Sequence, residues 1–518
     1  MPRIALIACS AIAILSPTAA YSAQDAGHVP NQCASSPAIV SLSSPSWNGW
    51  GADAGNTRFQ PASEAQLSVA DIPRLKLKWA FGFPGARAVS GQPALVAGRV
   101  FVSADTGDVY ALDSMSGCVH WSFHADAAVR SAVTVERPAP GEPYAVFFGD
   151  ARANVYAVDA AHGAPLWRVH VDDHPLARIT GGVRLFEGRV YVPVASGEEG
   201  AGGNPAYACC TSRGSVVALN ARTGTQVWKT YTIPDAPRPT TKNATGTQLW
   251  GPSGAGVWNS PTIDPRRRAL YVGTGNAYSA PAAPTTDSIV AMDLDSGKIL
   301  WSAQGTANDV WVVACINNAA PNCGPDQDFG SPPILKTLSG ASLLIAGQKS
   351  GNVWAYDPDR KGAVVWRTPL VSNTAEFGGK IVWGGAADEQ NAYFGLGPGG
   401  VVAVRLRDGQ RQWFASLQPS GSPARPGQDG ALTVIPGAVI SGGWDGVLRV
   451  LSSTDGHAVW EYNTARDFET VNHVAAHGGS MGAPGPVVAG GLLIVPSGYV
   501  GVRNGAPGNV LLVFGVER

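Results

Sequence analysis

The sequence predicts an all-β fold, an eight-bladed β-propeller with four-stranded blades whose ring is closed by N- and C-terminal strands. Three observations predict it. A motif recurs seven times, an eighth tryptophan precedes its first copy, and the last strands of the chain lack a tryptophan strand of their own. Glycine (64) and proline (39) are abundant while only 14% of residues are charged, the profile of a turn-rich β protein.

The motif is a β-rich run, a small residue, often an Asp or Asn two places on, then Gly, then Trp. It reads Ala111-Leu-Asp113…Gly117…Trp121, then Ala157-Val-Asp159…Gly163…Trp167 and Ala218-Leu-Asn220…Gly224…Trp228. It continues as Ala291-Met-Asp293…Gly297…Trp301, Ala355-Tyr-Asp357…Gly362…Trp366, Ala403-Val-Arg405…Gly409…Trp413 and Val450-Leu-Ser452…Gly456…Trp460. Self-similarity at this period means a propeller or solenoid. The Gly falls in a turn between two strands, where a positive φ is expected. The Trp is placed to pack flat between neighbouring blades.

Trp79 has no repeat body before it, whereas Leu492–Ser497 and Asn509–Phe514 read as strands with no Trp strand after them. The segment around Leu75 to Phe81 is therefore expected to complete the last blade, which leaves no open sheet edge. Successive Trp spacings from Trp79 are 42, 46, 61, 73, 65, 47 and 47. The three long units lie between Trp167 and Trp366. Insertions in repeats map to loops, often on the binding face, so these loops are the first place to seek a site.

At the N-terminus, Arg3, the apolar run Ile4–Leu15 and Thr18-Ala19-Ala20 read as a signal peptide over residues 1–20, too short to span a bilayer. An arm over 21–46 and the propeller over 47–518 follow. No later segment is long and apolar enough to cross a membrane. The formal net charge is −1 with no charge run, so neither nucleic acid nor an acidic membrane surface is an expected partner. Export makes the six cysteines after Cys9 disulfide candidates. Cys315 and Cys323 would close a short loop, adjacent Cys209 and Cys210 an eight-membered ring, and Cys33 with Cys118 would pin the arm. Sequence alone leaves that connectivity open. No Cys-x-x-Cys-His occurs, so no c-type haem site is written here.

The opening Trp47-Asn-Gly-Trp50-Gly-Ala-Asp53…Asn56-Thr57-Arg58-Phe59, together with the Ala-x-Asp-x-x-x-Gly-x-x-x-Trp repeat, resembles the PQQ-dependent (quinoprotein) alcohol dehydrogenases. The resemblance runs from Trp47 onward. It is densest in Ser196–Glu199, Cys209–Gly214, Gly251–Ser279 and Asp309–Leu335. It implies pyrroloquinoline quinone (PQQ) as cofactor and Ca²⁺ as metal. The pair Asp326 and Asp328 also echoes an arrangement linked to lanthanide use. It further implies a periplasmic enzyme that oxidises an alcohol, a secondary one or a polymer like polyvinyl alcohol, and passes electrons to a separate cytochrome c.

Carried over residue by residue, the resemblance makes Glu199, Asn276, Asp326 and Asp328 metal ligands, a hard-oxygen set suited to Ca²⁺. Asp326, in Asp326-Gln-Asp328-Phe-Gly-Ser-Pro, is the expected base, and Asp309, in Asn308-Asp309-Val310-Trp311, is the reserve. Lys349 matches the cation touching the reactive carbonyls. Trp258, outside the blade-docking spacing, matches the stacking Trp. Arg130 and Thr180 match the carboxylate edge, and Ser196 and Gly197 the residues lying over the quinone. Any one of these acids alone reads more simply as a turn cap. Three of them within the three long blades point to a site.

Two departures argue against methanol as substrate. Ser90-Gly91-Gln92-Pro93 stands where relatives carry Glu before Gly-x-Pro, and the adjacent cysteines lie two blades later than in methanol-oxidising relatives. The competing class is a non-catalytic propeller scaffold of the outer-membrane assembly type. A lipobox and short, even blades would favour it, and this sequence has neither.

Overall fold

The computed structural model describes residues 31–42, 45–317, 323–370, 380–397, 399–417, 427–501 and 505–517. The expected leader, with Cys9, lies outside the described residues. Eight antiparallel meanders form the blades. The first comprises Ala94–Val96, Arg99–Ser103, Asp108–Asp113 and Val119–His124. Its first strand is wholly buried and its last, Trp-bearing strand half exposed, so strands run from the axis outward. The third blade adds a short fifth strand, Ala177–Arg178, which pairs with Ala195 and Ser196. In the eighth, Lys76–Gly82 pairs antiparallel with Val510–Gly515, joining Leu492–Ser497 and Val487–Ala489. The expected ring closure is thus observed.

There is no single core. Eight apolar clusters occupy the eight interfaces between adjacent blades, such as Phe147 and Val155 of the second blade against Val192 and Val217 of the third. The motif explains their register. The indole of one blade lies on the turn glycine of the next: Trp79 on Gly117, Trp121 on Gly163, and so on to Trp413 on Gly456. Those glycines have φ between 71° and 78°, and a Cβ there would sit 2.5–2.8 Å from the ring. Indole Nε1 groups donate across the same junctions, Trp121 to the Ala160 carbonyl at 3.0 Å and Trp366 to that of Leu406 at 2.9 Å. Each buried indole removes about 150–250 Å² from water, roughly 4–6 kcal/mol before entropic costs.

Segment 47–60 runs round the axis and bonds the innermost strands in order. Trp47 exchanges backbone bonds with Leu95, and the Asn48 amide with Val135. Gly49 packs beside Arg184 of the third blade. Carbonyls of Ala54, Gly55, Thr57 and Arg58 then accept from Ile263, Leu335, Ala387 and Val434. The fully buried Arg58 guanidinium reaches Gln92, Thr433 and the Pro486 carbonyl, so it ties the first, seventh and eighth blades. Disulfides join Cys33–Cys118, Cys209–Cys210 and Cys315–Cys323.

Gly297 and Gly340 both have positive φ, but only Gly297 faces an indole. Gly340→Ala should cost about 1 kcal/mol for backbone strain. Gly297→Ala should cost a further ~1–3 kcal/mol for displacing Trp228. Thermal melts should therefore rank wild type above Gly340→Ala above Gly297→Ala.

Candidate active site

A cavity of about 310 Å³, part of it open to solvent, lies at one end of the axis. Its lining follows from the repeat. Ser90, Arg130, Thr180, Trp258, Gly330 and Ala483 each stand four residues before the innermost strand of their blade. Trp383 stands three before its own, and Trp50 enters from the axial segment. The propeller therefore presents equivalent positions of successive blades to one point, and chemistry is set by which side chain each carries. Trp258 meets Trp383 edge-on at 5.4 Å, and the Gly330 backbone lies directly against the Trp258 ring. The Arg130 guanidinium lies 4.5 Å from the Trp383 ring and 5.8 Å from that of Tyr499. Three expected residues, Arg130, Thr180 and Trp258, thus share this cavity.

Behind Trp258 is a charged array. Lys349 Nζ lies 5.4 Å from the Trp258 ring and donates to Asp326 at 2.7 Å and Asp328 at 2.8 Å. Lys380 Nζ donates to the other Asp326 oxygen at 2.5 Å. Burial alone would raise the Asp326 pKa, but Lys349 and Lys380 outweigh it and hold the carboxyl below its usual range. Burial would likewise discharge Lys349; Asp326, Asp328 and Glu199 instead hold it well above the usual lysine value. Asp328 also accepts from the Asn276 backbone N–H at 2.8 Å. The Asn276 side-chain amide donates to the Ala277 and Trp311 carbonyls, which leaves its buried Oδ1 without a partner. Burial pushes Glu199 up to about 7, with Lys349 opposing and Asp328 and Asp326 adding to the rise.

Asp309 lies beneath this loop, fully buried. Its oxygens accept from the backbone N–H groups of Asp326 (3.2 Å) and Gln327 (2.7 Å). Burial lifts it to about 6. Asp309 thus anchors the loop that carries Asp326. Among the described residues no three His, Cys, Asp or Glu side chains converge as a preformed metal cage; an ammonium, Lys349, bridges the two aspartates.

The long insertions fold over the array. Cys209, Cys210, Tyr278 and Val312 form an apolar cap with Tyr207, Leu249 and Cys315 around it. Glu198, next to the expected ligand Glu199, holds the cap. Its fully buried carboxylate accepts from Thr211 N–H (2.9 Å), Ser212 N–H (2.6 Å) and the Tyr207 hydroxyl (2.8 Å). Ser196 Oγ accepts from the Glu198 N–H, and Gly197 is covered by the Arg178 guanidinium rather than facing the cavity directly.

Sequence reasoning missed Lys380, Trp383, Arg178 and Asp287. The four-residue offset would have pointed near Trp383; nothing local marks the others. Asp287 is fully buried with both carboxyl oxygens unpartnered, and burial, reinforced by Asp328 and Asp309, pushes it up to about 10.

Burial would raise the Glu198 pKa, yet hydrogen bonds from His174, Ser212 and Thr211 bring it from 4.5 down to about 2. A depressed carboxyl stabilises the fold fully above its ordinary value and loses that contribution as pH falls through its folded value. Glu198→Gln should cost about 1–3 kcal/mol near neutral pH. The gap in melting temperature between variant and wild type should close as pH drops from about 4.5 toward 2.

Comparison with known proteins then places these features. A family model described as glucose/ethanol/alcohol dehydrogenase, beta-propeller domain, matches residues 47–322, and one described as outer membrane protein assembly factor BamB matches residues 285–503. A polyvinylalcohol dehydrogenase from a Pseudomonas species is 41% identical over 92% of this chain and 78% of its own length. One from Sphingopyxis sp. (strain 113P3) is 37% identical over 94% of this chain and 79% of its own. The solved quinohemoprotein alcohol dehydrogenase of Comamonas testosteroni has a TM-score of 0.66 at 19% identity, covering 92% of this chain and 81% of that one, a likeness of fold.

Proposed function

The chain belongs to the PQQ-dependent alcohol dehydrogenase family, and from that premise we propose that it oxidises a secondary alcohol or a polyvinyl alcohol-like polymer with PQQ and a Ca²⁺ ion in the cavity beside Trp258. The observation that carries this reading is the salt-bridged Asp326–Lys349–Asp328 array against the aromatic floor of that cavity. The polymer reading draws on what the two most similar relatives named above act on.

The residues fit both groups. A planar tricarboxylate needs an aromatic face and cations not already spent on anions. Trp258 offers the face, and among the described residues Arg130 lies over the rings of Trp383 and Tyr499 without an anion bound to it. A hard cation needs oxygen donors, and the buried, unpartnered Asn276 Oδ1 is one. Trp258, Arg130 and Thr180 would hold PQQ, with Ser196 and Gly197 outside the cavity lining; Glu199, Asn276, Asp326 and Asp328 would hold the cation. Bound there, PQQ would supply a hydride-accepting quinone and the cation a Lewis acid.

The chain's own groups do the rest. Asp326, kept ionised by two ammonium groups, takes the hydroxyl proton of the alcohol. Lys380 holds its second oxygen, and Asp309 fixes its backbone, so the accepting atom is preorganised. Lys349 directs its positive charge at oxygen that gains negative charge. The cap over residues 207–210 and 278 excludes water. Export by a leader at 1–20, a periplasmic location and a separate cytochrome c acceptor complete the proposal. The scaffold reading draws on the match over residues 285–503, but gives the buried charged array no role.

Asp326→Asn should lower kcat by about 10²–10⁴ in protein that remains folded; near-normal turnover would move the base elsewhere. Titration of metal-free protein with PQQ should show tighter binding with Ca²⁺ than without. Dye reduction with secondary and polymeric alcohols should be lost to chelator and restored by Ca²⁺. No PQQ binding at saturation would leave the scaffold reading standing.

A further inference from the structure

Three buried arginines in this protein are spent on oxygen. Arg58 reaches backbone and side-chain oxygens of three blades, Arg99 the carbonyls of Ala160 and Ala161, and Arg449 the carboxylates of Asp445 and Glu461. That is the rule for a charged fork removed from water, because an unpartnered one is costly. Arg178 breaks it. Among the described residues its guanidinium makes no hydrogen bond and no ion pair, and its Nε is buried without a partner.

Its position is specified by the fold. Arg178 lies on the extra fifth strand of the third blade, opposite Ala195 and two residues before the cavity residue Thr180. Its guanidinium lies on the Gly197 Cα, in space that any side chain at 197 would fill. Glu199 and the like-charged Arg130 are its electrostatic neighbours. Arg130 lines the cavity and Arg178 stands near it, with Glu199 acting on Arg178 only at a distance; among the described residues neither guanidinium has a hydrogen-bonded or ion-paired anion. Repulsion between them and the loss of hydration are both relieved by a ligand carrying more than one carboxylate.

We propose that Arg178 is a second cationic ligand of the cofactor, pairing with one PQQ carboxylate while Arg130 pairs with another. The assignment rests on the PQQ reading above. No covalent step is involved; Arg178 binds and orients, and Gly197 is glycine because the fork needs its face.

The test is equilibrium binding, followed by quenching of tryptophan fluorescence, with PQQ and with its trimethyl ester, which keeps the ring but not the charges. Arg178→Gln should weaken PQQ binding roughly ten- to a hundredfold, the range for a lost charge-assisted hydrogen bond, and leave ester binding the same as wild type. Equal PQQ affinity in wild type and variant overturns the assignment while leaving the PQQ reading intact. An equal loss for acid and ester also overturns it, since the role would then be structural. Absence of PQQ binding to wild type overturns both. If Arg178→Gln does not fold, Arg178→Lys is read in the same way: a several-fold loss for PQQ but not for the ester supports the assignment, and parity overturns it.

Discussion

The contact of a tryptophan with the turn glycine of the following blade is the constraint on which the structure depends. It recurs around the ring, from Trp79 on Gly117 to Trp413 on Gly456. Because each contact fixes the angle between two blades, their sum determines whether the ring closes. Closure in turn aims residues three or four places before the innermost strand of seven blades at the axis. The cavity is thus a by-product of blade docking. Its chemistry is free to vary because those positions carry no packing duty shared by all blades, holding Ser90, Arg130, Thr180, Trp258 and Gly330 in turn.

The charged array shows the opposite economy. Asp326, Asp328, Lys349 and Lys380 are held together away from water, an arrangement that seldom stabilises a fold on its own. Its stability comes from outside: Asp309 clamps the loop from below, and Glu198 fastens the cap above. The two acids are adjacent to candidate site residues in sequence or space but do different work. Glu198 and Glu199 differ by one position, and one is saturated with donors while the other faces the array.

The fold was legible in the sequence because its determinant is local. Gly and Trp keep a fixed offset within each repeat, and the orphan Trp79 disclosed the closure. Within the candidate site, Trp258 stood out by breaking the docking interval, and Asp326 with Asp328 by their motif. Lys380 and Arg178 were not legible. Lys380 reaches Asp326 across 54 residues of chain, and Arg178 meets Gly197 only because an added strand pairs 177–178 with 195–196. Asp287 looked like any turn acid; only the fold shows its oxygens sealed among other carboxyls. The opening segment was recognisable as a motif, but its course round the axis depends on eight strands far apart in sequence.

That axial segment has a bearing on how the protein can change over generations. Fourteen residues, 47–60, serve eight blades, so less than two residues of chain are available to each. Repeat proteins readily gain or lose units by duplication and deletion in the gene. Here the hub is a ruler of fixed length. A ninth blade would find no hub residue left to bond it, and a seventh-only ring would crowd Arg58 and Asn56 out of their sockets. Trp50 belongs to the same ruler and also lines the cavity, so the number of blades and the shape of the cavity are inherited together.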